Sequence, residues 1–533
     1  MGSTAENFFI HTPICCPSRS ELLSGRYFHN IKKSCDEDGC GCMHVDEEVV
    51  NGATFARKLK EEAGYTVGMF GKYLNNMPSP TTGGPGAVTI AGTTVPAGFD
   101  AWLGNGGGDY ISPSFNAQNI TFGDFGIANG MWHGTEDNYT TSVVGNVSIA
   151  WIRHVVAENP DRPFFAYVAP KAAHEPFNPA PWYADAWDPE WPTEEPAANP
   201  SWNSTFAARA DHHGNIATED LITPQAAKVI TGVFKNRWRT LMSVDDVIAD
   251  VIGAVEDLGL ADNTYFFYSS DHGFQLGEFN IPMDKRQPYE WDTRIHLLAR
   301  GPGIKAGSTW AQPATQVDMA PTFLGLAGLD KTAVMDGKSL VPLLMPSAYA
   351  GDEVEIAKLP ESTKKHVAGL LAKAGAAGAK AYAANWRTAA FVEYYYVADN
   401  VKCVGNCTLP KEANAYPHAD TYCTDLTPGA YANCWAMGCS TECYPTESIM
   451  NNFIVLRSME GSPFGDTMYA EFESGNLNQQ PIAFDNIYFH EYYNVTADPW
   501  EMNNLYNLTA ASTQKALHDA LHVFASCTGD ACP

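Results

Sequence analysis

The 533-residue sequence predicts an α/β chain: a large, mixed, mostly parallel sheet flanked by helices, followed by a smaller C-terminal α+β domain with an antiparallel sheet. Three observations carry this expectation. Helix-period segments alternate with short apolar runs, the pattern of buried parallel strands joined by helical crossovers. Three apolar runs stop at residues capable of chemistry, namely Lys72, Lys171 with His174, and Asp271 with His272. Beyond residue 390 the sequence turns to strand-like alternation without intervening helices. Ligands of open α/β sheets bind outside the carboxyl ends of the strands, so this layout alone predicts a site joining Lys72, His174 and Asp271.

The elements follow in order. Glu48 to Glu62 reads as an amphipathic helix closed by Gly64, then Tyr65 to Phe70 as a strand entering Gly71-Lys72. Arg162-Pro163 introduces Phe164 to Ala169, wholly apolar and read as a strand. The periodic stretch Pro224 to Leu258 predicts a long helix, and Thr264 to Ser269 a strand running into Asp271-His272-Gly273. Gln316 to Ala327 predicts one more covering helix. Residues 1–345 form the large domain, 346–390 a linker or inserted helix, and 391–533 the smaller domain. Within the linker, Lys364 to Asn385 is rich in Ala, Lys and Gly and reads as a surface helix in preference to an ill-ordered insertion. Phe391 to Val397, Phe453 to Leu456 and Tyr488 to Tyr492 are the predicted strands of the smaller domain, which carries a Cys-rich insertion over 403–443. The sequence contains no internal repeat.

A chain this long exceeds what one hydrophobic core serves, consistent with two domains. Its net charge of −28 argues against nucleic acid or an anionic membrane as principal partner, so an anionic substrate needs a local basic pocket. No run of about 18 apolar residues predicts a membrane span, and no basic and apolar leader opens the sequence. Thirteen cysteines, set in Gly- and Asp-rich loops, point to the secretory pathway. Removing Cys15 leaves an even number, and the irregular spacing from Cys403 to Cys443 favours disulfides over a zinc site. Seven N-x-[ST] sequons, at Asn119, Asn138, Asn146, Asn203, Asn406, Asn494 and Asn507, fit that compartment.

The densest chemistry lies in Cys15-Cys16-Pro17-Ser18-Arg19 and Leu23-Ser24-Gly25-Arg26, which set a thiol, a hydroxyl and two guanidinium groups on one turn and the helix after it. Pro17 in the first helical turn leaves the positive dipole end facing an anion. Adjacent cysteines also read as disulfide partners, but the twelve-position pattern C-x-P-S-R-x-x-x-L-[ST]-G-R resembles the sulfatase signature, whose first cysteine is oxidised to formylglycine. Further segments are similar to the same family, closest to its N-acetylglucosamine-6-sulfatase and algal arylsulfatase branch: Gly71-Lys72-Tyr73-Leu74-Asn75, Val95 to Trp102, Ala173-His174-Glu175-Pro176-Phe177, Ser270-Asp271-His272-Gly273, Asp284-Lys285-Arg286 and Asn494 to Glu501.

The resemblance implies an alkaline-phosphatase-like fold and a formylglycine-dependent sulfuric ester hydrolase acting on a sulfated carbohydrate or aryl sulfate. By it, Cys15 is converted to formylglycine by a formylglycine-generating enzyme; Arg19, Lys72, His174 and Lys285 are catalytic; and Asp271, His272 and the modified Cys15 hold a divalent metal, calcium by family. Taken alone, Lys72 reads more readily as a solvated lysine, His174 equally as a loop histidine, and Asp271-His272-Gly273 also as a tight turn. Secretion to an extracellular or lysosome-like compartment is implied as well. The chain departs from the family at its start, where a strand ending in paired metal-binding aspartates is expected and only 14 residues precede Cys15. The expectation is therefore a truncated sequence, with a naturally degenerate protein as the alternative; in either case it binds metal poorly, lacks one strand of its sheet and turns over little sulfate. Two alternatives remain open: a non-catalytic binder of sulfated glycans, and a phosphoester hydrolase of the same superfold. The Trp- and Pro-rich run Trp182 to Trp202 reads either as a sugar-stacking loop or as a packed surface loop.

Overall fold

The strand Thr66–Lys72 is buried along all but its first residue, because both faces of the sheet it centres are covered. The computed structural model describes residues 2–33, 41–75, 88–90, 93–188, 190–219, 221–222, 224–397, 403–404, 444–445 and 449–533. Thr66–Lys72 pairs in parallel with Ala101–Asn105 on one side and Phe164–Ala169 on the other. Ser114–Gln118 and Gly130–His133 extend the sheet through antiparallel pairs. Alternate side chains enter opposite cores, as the two-residue period of a strand requires. Val67 and Met69 pack with Phe55 and Leu59 of helix Phe55–Ala63, whereas Phe70 packs with Val147 and Trp151 of helix Thr140–Glu158 and with Val255 of the long helix Pro224–Asp257.

Two short N-terminal strands, Ser3–Ala5 and Phe8–Phe9, escaped the sequence reading because two or three residues show no period. Each is the inner member of a mixed sheet. Ser3–Ala5 lies between Leu297–Arg300, antiparallel, and Ser308–Trp310, parallel, with Phe266–Ser269 beyond the former. Phe8–Phe9 lies between Arg294–Ile295, antiparallel, and Ala314–Thr315, parallel. Among the described residues, Phe164–Ala169 and Phe266–Ser269 are each hydrogen-bonded to a strand on one side only. Both are half-buried along most of their length despite their apolar sequences, as edge strands are.

The predicted helix Glu48 to Glu62 divides into Glu47–Gly52 and Phe55–Ala63. The break is chemical: the Thr54 side chain accepts a hydrogen bond from the Arg57 N–H at 3.2 Å and starts a new helix. Gln316 to Ala327 opens as a tight turn, Gln316–Asp318, with a Thr315–Asp318 capping box before helix Met319–Leu326. The segment left between helix and ill-ordered insertion is a helix, Glu361–Ala384. The smaller C-terminal sheet is antiparallel throughout, in the order Ala389–Tyr394, Asn452–Ser458, Thr467–Glu473, Ile487–Asn494. Helix Ala511–Ala525, which the sequence reading omitted, buries Leu517, Leu521 and Phe524 against Phe391, Ile454, Leu456 and Tyr469 of that sheet. Leu23 of the signature and Tyr27, the residue after it, belong to the same core.

Cys15 is not paired with its neighbour: Cys16 is bridged to Cys42, Cys527 to Cys532, and Cys15 is a buried free thiol. The side chains of the Cys-rich stretch Cys403 to Cys443 lie outside the described residues. Within the Trp-rich run, Trp187 meets Trp238 and Trp191 meets Phe234 of the long helix. Trp182 remains 58% exposed beside Tyr139.

Candidate active site

The signature forms helix Cys15–Ser24, with Ile14 as an extended cap residue lacking any side-chain cap and Gly25 closing it in the left-handed conformation. Cys15 is thus the first residue of the helix, where the partial positive charge of the helix end is concentrated. Ser18 is held through its hydroxyl by the Asp271 carbonyl and the Gln316 side chain, which ties the signature to the Asp271 turn. Arg26 leaves the site and donates instead to the Asn30 carbonyl at 2.6 Å.

Three strand ends deliver the partners of Cys15. Lys72 ends strand Thr66–Lys72 and places Nζ 3.7 Å from the Cys15 Sγ. His174 follows strand Phe164–Ala169 and faces the same sulfur, its loop pinned by the Tyr110 hydroxyl donating to the His174 carbonyl at 2.8 Å. Asp271 and His272 follow strand Phe266–Ser269, with His272 Nε2 3.3 Å from Sγ and His272 Nδ1 2.7 Å from the Gly273 carbonyl. Lys285 approaches from a turn whose flanking residues, Asp284 and Arg286, both have positive φ. The Gln275 N–H donates to the Asp284 carbonyl at 2.7 Å, joining this turn to the Asp271 segment. All seven residues singled out in the sequence therefore converge. Cys15, Arg19, Lys72 and Lys285 are buried, while Asp271, His174 and His272 are half-buried and form the open side.

Arg19 is engaged by three protein groups. Its Nε donates to the Tyr73 carbonyl at 2.6 Å, one terminal nitrogen to Asp271 Oδ2 at 2.7 Å and the other to the Asn75 side chain. The guanidinium fork thereby locks the Lys72 strand end, the Asp271 turn and the signature helix together, a task suited to arginine's fixed planar donors. Cys15 Sγ, an Asp271 carboxylate oxygen and a His272 nitrogen all lie within 4.8 Å of one another.

The electrostatics follow from four cationic or imidazole groups around one sulfur. Burial opposes ionisation of Cys15, yet Lys72, Lys285 and His272 together hold its thiol well below the ordinary range. Burial likewise pulls Lys72 below a normal lysine, against the attraction of Cys15. Burial, reinforced by Lys72, brings His174 down to about 4, so this imidazole is neutral near pH 7. Asp271 is held below an ordinary aspartate by His272 and Arg19 despite its burial. The result is a cluster of Lys72, Lys285 and two imidazoles around one sulfur in an acidic protein, with Asp284 3.3 Å from the Lys285 ammonium.

Arg237 was missed. It lies on the long helix, donates to the Ala173 carbonyl at 2.8 Å beside His174, and stacks 4.1 Å from the centre of the Phe274 ring. The signal was present: Arg237 falls between the buried Val233 and Thr240, on the helix's inner face.

A model of the family described as Sulfatase matches residues 1–329. The N-acetylglucosamine-6-sulfatase of Capra hircus is 28% identical over 536 residues, covering 100% of this chain and 79% of its own length. The extracellular sulfatase SULF-1 homolog of Drosophila melanogaster is 30% identical over 350 residues, covering 64% of this chain and 28% of its own. A solved structure described as a complex with its substrate D-glucosamine-2-N,6-O-disulfate has the same fold, with a TM-score of 0.59 and 21% identity, covering 98% of this chain and 90% of that one. With a signature helix, three strand ends and a basic pocket meeting at Cys15, and with the family match spanning more than half its length, the chain belongs to the sulfatases, the hydrolases of sulfuric esters.

Proposed function

We propose that the protein hydrolyses sulfate esters of carbohydrates, with a 6-sulfated N-acetylglucosamine as the substrate class. The observation that carries this reading is the convergence of Lys72, His174, His272 and Lys285 on Cys15 at a helix N-terminus. Cleaving a sulfate ester gathers negative charge on the sulfur oxygens and on the leaving oxygen, so fixed cations aimed at those positions lower the barrier. Lys72 and Lys285 bind the equatorial oxygens. Arg19 acts through Asp271, Tyr73 and Asn75 and holds the turn in place, as its bonds indicate. His174 is neutral before substrate enters; the charge of a bound sulfate raises its proton affinity, and with Lys285 it delivers a proton to the departing alcohol.

The family implies formylglycine at the signature cysteine and a divalent metal. Formylglycine in place of Cys15 supplies a hydrated aldehyde hydroxyl as nucleophile at the site now held by the thiol. Its generation requires a formylglycine-generating enzyme, whose substrate is the signature itself. For the metal the fit is poor. Among the described residues the cluster at Cys15 offers one sulfur, one carboxylate and one imidazole, and Asp271 already shares its carboxylate with Arg19. Calcium takes about 6 to 8 oxygen ligands, which this set does not supply.

Maturation in the secretory pathway, with an extracellular or lysosome-like destination, is supported by the two disulfides among the described residues and by the exposed sequon residues Asn119, Asn146, Asn494 and Asn507. The test measures release from N-acetylglucosamine 6-sulfate and from the matching phosphate monoester, with millimolar divalent salts, alongside mass spectrometry of the Cys15 peptide. Sulfate release, reduced at least ~100-fold by Cys15→Ala, and a peptide mass showing CHO in place of CH2–SH are the expected results. Phosphate release outpacing sulfate identifies a phosphoester hydrolase. Tight binding of the sulfated sugar without release, with an unmodified Cys15, identifies a glycan binder.

A further inference from the structure

A second cluster of metal-ligating side chains lies in the C-terminal domain. Strand Thr467–Glu473 carries Glu471, whose side chain is fully buried, and helix Ala511–Ala525 lays His518 and His522 over it. His518 Nδ1 is 2.7 Å from Glu471 Oε1 and His522 Nε2 is 2.8 Å from Oε2, and the three ligand atoms lie within 4.8 Å of one another. The sequence His518-Asp519-Ala520-Leu521-His522 sets the two histidines four apart, on one face of the helix, the spacing by which a helix presents paired imidazoles to zinc. The ring centres stand 4.0 Å apart, and the rings reach solvent with side-chain exposures of 47% and 32%.

We propose that Glu471, His518 and His522 form a zinc site that fastens the C-terminal helix to its sheet. Two imidazoles and one carboxylate are the donor set that borderline dications such as Zn2+ prefer, and the outward side leaves a fourth position for water. Zinc bonds of about 2.0–2.2 Å place tetrahedral donors about 3.3 Å apart, so each nitrogen withdraws from the carboxylate oxygen it now faces, at 2.7 and 2.8 Å, as the ion enters. The Tyr469 hydroxyl donates to Glu471 Oε1 at 2.6 Å and fixes the carboxylate's orientation, the kind of outer partner metal ligands require. The carboxylates Asp485 and Asp519 add to the pull of Glu471 on a positive charge at His522, although Asp519 is also paired with Lys515 at 2.6 Å. Binding exchanges any proton held between imidazole and carboxylate for the ion, so zinc uptake releases protons. The site is remote in sequence from Cys15, Asp271 and His272, and it stands whether or not the chain hydrolyses sulfate.

The test titrates the intact protein with Zn2+, and with Co2+ as a spectroscopic substitute, in wild type, Asp271→Ala, and the double variant His518→Gln, His522→Gln. Glutamine keeps a donor for Glu471 but is a far weaker ligand. Expected are one Zn2+ equivalent bound by wild type and by Asp271→Ala, Co2+ bands of a four-coordinate nitrogen and oxygen site in both, and a drop in that affinity of at least ~100-fold in the double variant. An unchanged affinity in the double variant overturns the proposal, as does the loss of this equivalent in Asp271→Ala alone. A readout on wild type needs no variant. Zn2+ should slow carbethoxylation of His518 and His522 at least tenfold by peptide mass spectrometry; equal rates with and without Zn2+ reduce the cluster to a helix-to-sheet hydrogen-bond clamp.

Discussion

Lys72 illustrates how one residue's meaning depends on where its strand ends. In the sequence it is a lysine after an apolar run, and its neighbourhood alone favours a solvated side chain; in the fold it is 7% exposed and 3.7 Å from Cys15. Lys72→Ala therefore removes a cation from beside the thiol. In chains where Cys15 has not been converted, the midpoint pH of Cys15 alkylation should move upward, and sulfate turnover of the converted enzyme should fall by about 10²-fold or more; an unchanged alkylation profile rules out the pairing. A second residue-scale prediction concerns Glu21, which burial pushes up to about 8 although the Thr12 hydroxyl donates to it at 2.7 Å. The native state holds this proton more tightly than the unfolded chain, whose carboxyl titrates near 4.5. Its contribution is thus whole below pH 4.5 and is lost as pH rises toward 8, at up to about 1.4 kcal/mol per pH unit. Glu21→Gln should leave the melting temperature unchanged at pH 4 and raise it at pH 8, by about 1–3 kcal/mol of stability in calorimetry. Equal effects at the two pH values are inconsistent with a neutral buried carboxyl.

At the scale of elements, Gly71 decides where Lys72 can stand. Its φ is +114°, and a Cβ there collides with the Ala169 carbonyl oxygen of the neighbouring parallel strand. Gly71→Ala should wedge the two strands apart beside the pocket, costing about 2 kcal/mol or more of stability. Sulfate turnover should fall further than that loss of folded protein explains; wild-type turnover at a normal melting temperature is the contrary result. Much of the element pattern was readable: Phe164–Ala169 lies where its apolar run puts it, and the long helix ends one residue short of its predicted end. The errors arose where local chemistry outranked period. Thr54 divided one amphipathic pattern into two helices by capping the second. Ser3–Ala5 and Phe8–Phe9 are strands only because neighbours from residues 294–315 pair with them. Helix Ala511–Ala525 has too narrow an apolar stripe, Leu517, Leu521 and Phe524, to announce itself.

The whole molecule brings residue 15 against residues 271 and 272, and its cation chemistry follows from that single encounter. Among the described residues the donors at this point number three, one of them shared with Arg19, so calcium affinity at the Cys15 site should be weaker than about 1 mM. Calorimetric titration of wild type against Asp271→Ala measures it; a micromolar, Asp271-dependent dissociation constant defeats the prediction. The gathering of these groups was legible in advance because a twelve-position signature leaves little to chance. All seven site residues chosen from sequence meet at one place. What these groups do to one another was not legible. That Arg19 binds Asp271, Tyr73 and Asn75, that Arg237 supports the His174 loop, and that Glu471 meets His518 and His522 are contacts between segments tens to hundreds of residues apart. The sequence by itself determined the strand ends, the signature helix and the kinds of groups to be gathered, since these rest on period, caps and side-chain chemistry within a few residues. Only the tertiary structure decided which charge faces which, because distance in space, burial and orientation are properties of packed elements and not of the order of the chain.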